Sequence, residues 1–277
     1  MKRVIKQICP PFIWSAVSRL KPRLKWEGCY SSYAEALKAA GGSYSDPKIL
    51  EKVANATRQV RDGRALFERD SVIFEHPEYS WPLLASVFAA AASRQAQSNA
   101  LQVVDLGGAL GTHYFQLRPF LKGIFAKWQV VEQEPFAVLG QREFSDNCLS
   151  FTNSAATSVR EPDILICASV LQYLPDPESV LAECLSKRPR YVFVERTPLV
   201  ERGGDFWTVQ NVPSSIYSAR YPCRVFSRQA LQTLLGLSRE GYTLIAELPT
   251  LQLSGDRILS GGFWFEAKEG SNGRKNS

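Results

Sequence analysis

Between residues 103 and 111 the chain reads Val-Val-Asp-Leu-Gly-Gly-Ala-Leu-Gly: an apolar run delivers an acid, and a glycine-rich turn follows at once. Glycines in such a turn let a ligand approach main chain that side chains would otherwise shield. A dinucleotide turn would read G-x-G-x-x-G and set a pyrophosphate on the next helix. Here Gly107, Gly108 and Gly111 have a different spacing, and Asp105 ahead of them would repel a diphosphate but suit a cation. A glycine turn with no ligand is the plainer alternative.

The next strand-like run, Trp128 to Gln133, brings Glu132 to its end at a βαβ distance from Asp105, where a ribose needs an acceptor for its two hydroxyls. Gln133 lies beside it. Asn153 and Ser154 close a third run and can hydrogen-bond the exocyclic amine of adenine, or simply build a turn. A fourth run ends in Cys167–Pro177, which sets Ser169, Gln172 and Tyr173 beside the reactive end of a ligand and fixes the following loop with Pro175 and Pro177. Adenine, ribose and a cation together describe S-adenosyl-L-methionine, which carries an ammonium and a sulfonium.

The elements that position these residues are legible. Five short apolar runs, at 101–106, 128–133, 148–152, 164–168 and 191–195, alternate with helix-length segments, the pattern of a parallel sheet covered on both faces. Asp176-Pro177 opens one connecting helix, Ser227 opens another, and Pro119 shortens the helix after the first strand. Two final runs, 242–248 and 262–267, have no helix between them and imply an antiparallel hairpin. Before the sheet, Asp46-Pro47 starts a helix that Gly63 ends, and a second helix is expected from Pro82 to about Ser93. The expected domains are a basic arm (1–30), a helical cap region (31–98), a core (99–268) with an insertion at 198–226, and a disordered tail (269–277).

Composition narrows the classes. The net charge of +6 belongs to residues 1–30, which carry seven bases and one acid, so residues 31–277 are neutral. That neutrality argues against a nucleic-acid acceptor. The arm holds Phe12, Ile13, Trp14 and Val17 among its bases; it suits peripheral contact with an anionic membrane through residues 1–25, or packing of one aromatic patch on its own domain. No stretch has the ~20 apolar residues of a membrane span. Six scattered cysteines without a CxxC read as reduced core residues of a cytoplasmic protein, and two histidines, His76 and His113, argue against a histidine-rich metal site.

These motifs, with several others, resemble the class I S-adenosylmethionine-dependent methyltransferases, and more narrowly a family of bacterial methyltransferases found with surface-polysaccharide biosynthesis genes. Trp26-Glu27-Gly28 with Tyr30, Ala34-Glu35-Ala36 and Glu68-Arg69-Asp70 match ahead of the core, and Asp105 through Gly111 with Tyr114, Val130 to Gln133 and Leu149 to Phe151 match within it. Ser169 to Leu174, Glu195 to Pro198, Gln210 to Pro213 and Tyr221-Pro222 complete the set. The general class has glycine where this chain has Ala109; the narrower family shares the double glycine. The resemblance implies a Rossmann-like α/β fold with a mostly parallel seven-stranded sheet ending in the antiparallel hairpin, S-adenosyl-L-methionine as cofactor, and a small-molecule or glycan acceptor. A non-catalytic cofactor-binding or membrane-peripheral scaffold is the alternative.

Methyl transfer to a hydroxyl needs a base, and the candidates are His113, Tyr173, Glu195, Arg196 and Asp205. His113 can equally pack or cap, and Glu195 with Arg196 can form a structural ion pair. The segment 198–226, rich in aromatic and amide side chains, is expected to cover the acceptor pocket together with the N-terminal helices.

Overall fold

Runs of buried apolar residues become the central strands of the computed structural model, which describes residues 25–42, 47–69, 71–94, 100–213, 218–235, 241–254 and 258–268. The expectations for the arm before residue 25, the Asp46 cap, Asp70 and the tail lie outside these residues.

In chain order the elements are β1 (Lys25–Tyr30), α1 (Tyr33–Ala40), α2 (Pro47–Arg61), β2 (Phe67–Arg69), β3 (Val72–Phe74), α3 (Trp81–Ala92), β4 (Leu101–Leu106), α4 (Thr112–Leu117), β5 (Ala126–Val131), α5 (Glu134–Glu143), β6 (Leu149–Thr152), β7 (Ile164–Ala168), α6 (Pro177–Ser186) and β8 (Tyr191–Val200). They are followed by β9 (Phe206–Val212), β10 (Ala219–Ser227), α7 (Arg228–Leu235), β11 (Tyr242–Ser254) and β12 (Ile258–Ala267). Local sequence explains several of their ends. Ser32 and Glu35 form a capping box on α1: Glu35 N–H donates to Ser32 Oγ, and Ser31 N–H and Oγ donate to Glu35 Oε2. Asp176 caps α6 through Ser179 N–H at 3.0 Å.

Strands β6, β5, β4, β7 and β8 run parallel in that order, and β12 then β11 continue antiparallel beyond β8. Alternation along each strand feeds two cores. Val103, Ile166 and Phe193 face α2, α3, α4 and α5, whereas Val104, Leu165 and Val192 face α6 and α7.

The sheet is larger and more mixed than the seven-stranded reading: it has ten strands. Strand β8 pairs with β7 only over Tyr191–Glu195; its farther half stands clear of β7 and takes β10 beside Leu199 and Val200. From β10 the sheet continues antiparallel through β9 to β1. Residues 198–226 therefore supply β9 and β10, and residues 25–30 supply β1. Pro198 resembles a strand stop, yet β8 runs through it. Between the β7 and β10 pairings that edge of β8 has no partner, so a residue lacking N–H is tolerated there. A small hairpin, β2–β3, lies among the N-terminal helices.

Candidate active site

The carboxyl ends of β4, β5, β6 and β7 open onto a cavity of about 400 Å³, a volume in the range of small-molecule pockets. Leu106 and Gly107 form its wall from β4, Val131, Glu132 and Gln133 from β5, Asn153 to Ala155 from β6, and Ser169 and Val170 from β7. Its outer end is bounded by Tyr33, Tyr173, Pro175, Tyr221 and Pro222. Six residues marked by sequence as cofactor-binding, Gly107, Glu132, Gln133, Asn153, Ser154 and Ser169, thus meet around one space.

Glu132 is the chemical centre of that wall. One carboxylate oxygen accepts the Gln133 N–H at 2.9 Å and the other the Ala109 N–H at 3.3 Å, so the side chain ties the β4 and β5 loops together. Removal from water lifts its pKa from the ordinary 4.5 to about 7, assisted by the negative charge of Asp105, against the lowering effect of the two N–H donors. Asn153 is exposed. Ser154 caps the short 3-10 turn Ala155–Thr157 by accepting the Ala156 N–H at 3.2 Å, so the turn reading holds for Ser154 while the residue still faces the cavity. Gly107 has φ +70, and a β-carbon on it would stand 2.4 Å from Val170.

Asp105, Gly108, Gly111 and Gln172 stand behind this wall and do not line the cavity. The fully buried Asp105 carboxylate receives the Trp128 indole N–H at 3.1 Å and lies 3.0 and 3.1 Å from His113 Nδ1. It explains the double glycine: a β-carbon on Gly108 would come within 2.4 Å of Asp105 Oδ2. Gly111, at φ +92, is the N-cap of α4. Gln172, 2% exposed, donates from Nε2 to Ser169 Oγ at 3.0 Å and to the Arg196 carbonyl at 3.4 Å.

The five catalytic candidates divide. Tyr173 lines the cavity, and its hydroxyl donates to Gln210 Oε1 at 3.1 Å. His113 is buried, with Nδ1 on Asp105 and Nε2 receiving Arg196 Nη2 at 3.1 Å; since a guanidinium only donates, the ring is neutral with its proton on Nδ1. Glu195 and Arg196 do not form the ion pair with each other that the sequence suggests. Glu195 Oε1 instead accepts from Ser80 Oγ, the N-cap of α3, at 2.7 Å, and Arg196, at φ +54, turns to His113. The strand is irregular at this point: the β12 register shifts between Gly261 and Phe263, and a β-carbon on Gly262 would meet the Val194 carbonyl oxygen. Asp205 pairs with Arg224 at 2.7 Å between β9 and β10.

Sequence reasoning does not mark Tyr33, whereas Gln210 and Tyr221 belong to the segment 198–226 expected to cover the acceptor pocket. Gln210 Nε2 donates to the Tyr221 hydroxyl at 3.4 Å, and the Tyr173 and Tyr221 rings meet edge-on at 5.4 Å, so the insertion is clamped to the β7 loop above the cavity. The Ser32–Glu35 capping box, which fixes α1 just after Ser32, was the available signal for Tyr33.

No protein-family model and no curated protein matches the chain. Solved structures do. LepI in complex with SAM matches at 14% identity and a TM-score of 0.47 over 70% of this chain and 50% of LepI, so the match spans about half of that protein. The [4+2]-cyclase SpnF matches at 11% identity and a TM-score of 0.49 over 88% of this chain and 100% of its own. A SAM-dependent methyltransferase from Methanosarcina mazei matches at 13% identity and a TM-score of 0.44, over 68% of this chain and 98% of its own.

Proposed function

We propose that the chain binds S-adenosyl-L-methionine in the cavity and transfers its methyl group to a small-molecule or glycan acceptor. The observation that carries this reading is the meeting of Gly107, Glu132, Asn153, Ser154 and Ser169 around a single space of cofactor size at the strand ends. Glu132 has oxygen lone pairs to offer ribose hydroxyls, Asn153 and Ser154 stand where adenine would be recognised, and Gly107 leaves main chain exposed beneath the methionine half. Among the described residues none of this wall is cationic, which suits a ligand that is itself a cation.

The cofactor would supply a methyl group on a positively charged sulfur, displaced in line with a neutral thioether leaving. Catalysis by the protein is then mainly orientation and exclusion of water. Tyr33, Tyr173, Tyr221 and Pro222 give the outer end an apolar, ring-lined surface that can hold an acceptor against the reactive carbon. The sequence resemblance supports the narrower reading of a bacterial enzyme of surface-polysaccharide biosynthesis that works beside the membrane; among the described residues no helix is long and apolar enough to cross one.

One observation favours the rival reading, a cofactor-binding scaffold without turnover: both ring nitrogens of His113 are engaged, so it is not poised as a base. Calorimetric titration with S-adenosylmethionine, S-adenosylhomocysteine and NADH tests the proposal. Micromolar binding of the first two and none of NADH is expected; saturable NADH binding alone would overturn it. Turnover on nucleotide-sugar or lipid-linked glycan acceptors then separates enzyme from scaffold.

A further inference from the structure

Arg196 differs from the other arginines of the molecule. Every other half-buried arginine among the described residues, from Arg58 and Arg61 to Arg224 and Arg228, holds a carboxylate in an ion pair. Arg196 holds none. Its one side-chain hydrogen bond among the described residues runs from Nη2 to His113 Nε2. A neutral imidazole fixes the guanidinium without cancelling its charge, and the Asp105 contact on Nδ1 keeps the imidazole in the tautomer that can accept.

The backbone shows that this placement is held against a cost. Arg196 sits at φ +54, a region that non-glycine residues seldom occupy and that tends to mark functional positions. Gln172 secures the Arg196 carbonyl and the cavity-lining Ser169 with the same amide nitrogen, and the Ser169 N–H donates to the Glu195 carbonyl at 2.8 Å. Arg196 is thus one residue removed from the cavity wall, beyond Ser169 and away from Glu132 and Asn153. It also stands where β8 leaves β7 and before β8 pairs with β10.

We infer that Arg196 receives an anionic group of the acceptor, so that the methylated molecule carries a carboxylate or a phosphate near its reacting atom. The inference rests on the cofactor reading above. A planar fork with donors left over matches either group in a bidentate manner, and the anion would complete the ion pair that every comparable arginine already has.

Calorimetry on the full chain tests this, with inorganic phosphate and malonate titrated into protein saturated with S-adenosylhomocysteine. Arg196→Gln keeps a donor toward His113 and removes the charge; Arg196→Lys keeps the charge and loses the fork. The expected result is phosphate or malonate binding to the wild type, weakened roughly tenfold or more in Arg196→Gln and less in Arg196→Lys, with S-adenosylhomocysteine affinity unchanged in both. Whether phosphate or malonate binds better tells which anion the acceptor bears. Equal anion binding in wild type and Arg196→Gln, or no anion binding to the wild type, overturns the inference. So does a tenfold loss of S-adenosylhomocysteine affinity with 5′-methylthioadenosine affinity unchanged, since the guanidinium would then serve the cofactor's own carboxylate. If S-adenosylhomocysteine does not bind at all, the cofactor reading fails by itself, and the same titrations on unliganded protein still decide the role of Arg196.

Discussion

Two polar groupings lie back to back across the glycine turn and are built on opposite principles. Behind it, Asp105, His113 and Trp128 form a buried cluster in which the Asp105 carboxylate answers both the imidazole and the indole. In front of it, Glu132, Asn153, Ser154 and Ser169 surround open space, and the carboxylate of Glu132 is strained toward its neutral form by the lack of water. The first grouping closes on itself, whereas the second faces the cavity. A motif of one acid and three glycines therefore does two jobs: its acid and its middle glycine build the support, and its first glycine, at positive φ, admits the Val170 side chain at the cavity wall.

The largest test of that division is Asp105→Ala. It leaves the buried His113 Nδ1 and Trp128 Nε1 donors without an acceptor and breaks a buried charged network, a loss of about 3–5 kcal/mol. Urea unfolding should show this, while the fraction that remains folded keeps its S-adenosylhomocysteine affinity. Glu132→Ala should do the reverse, with stability nearly intact and binding lost. A stable Asp105→Ala protein that cannot bind would mean that Asp105 touches the ligand, and the comparison would collapse. Next in size is Gly108→Ala. Its β-carbon would press on the Asp105 carboxylate, and overpacking of this kind costs about 1–3 kcal/mol. Gly204→Ala, which adds a β-carbon in open space at a residue whose φ, like that of Gly108, is not positive, controls for the backbone term.

The same division marks what the sequence could show. The parallel strands, the short helix before Pro119, the caps at Asp176 and Ser227 and the closing hairpin follow from local pattern, because periodicity and cap chemistry act within a few residues. The cap sheet did not follow. Strand β1 pairs with β9 across most of the chain, and β8 continues through Pro198 only because its partner changes at that point. Ligand-facing and support residues were not separable either, since an acid at a strand end looks the same whether its carboxylate turns to a cavity or to a histidine eight residues on.

Glu132→Gln sharpens the contrast through pH. A folded-state pKa of about 7 against an ordinary 4.5 means that the folded protein binds this proton more tightly, so stability is fully present below about pH 4.5 and is lost as pH rises through 7. The full shift corresponds to about 3 kcal/mol; for a carboxyl only half-buried at the cavity wall, about 1–2 kcal/mol is expected after screening. Without ligand, Glu132→Gln should therefore be more stable than wild type at pH 8 and equal to it at pH 4.5. Cofactor hydroxyls favour the ionised form, so wild-type affinity should rise from pH 6 to pH 8, and the variant should be weaker and flat. A wild-type affinity independent of pH would show that ribose does not meet Glu132.

The smallest effect concerns the clamp above the cavity. Tyr173→Phe deprives the buried Gln210 Oε1 of its donor while leaving the edge-on contact with Tyr221, a change of about 1 kcal/mol. In a chain of this size that lowers Tm by roughly 2–4 °C. Tyr221→Phe removes only a long 3.4 Å bond, in which the hydroxyl is the acceptor, and should cost less. Because the Tyr173 hydroxyl joins the β7 loop to β9 and the Tyr221 hydroxyl joins β10 to β9, neither variant should change S-adenosylhomocysteine affinity more than about twofold, well under the tenfold that 1.4 kcal/mol represents. If Tyr173→Phe instead weakens that affinity tenfold with Tm unchanged, the hydroxyl belongs to the cofactor half of the cavity, and the boundary between cofactor and acceptor ends moves outward, past the β7 loop, onto the cap strands.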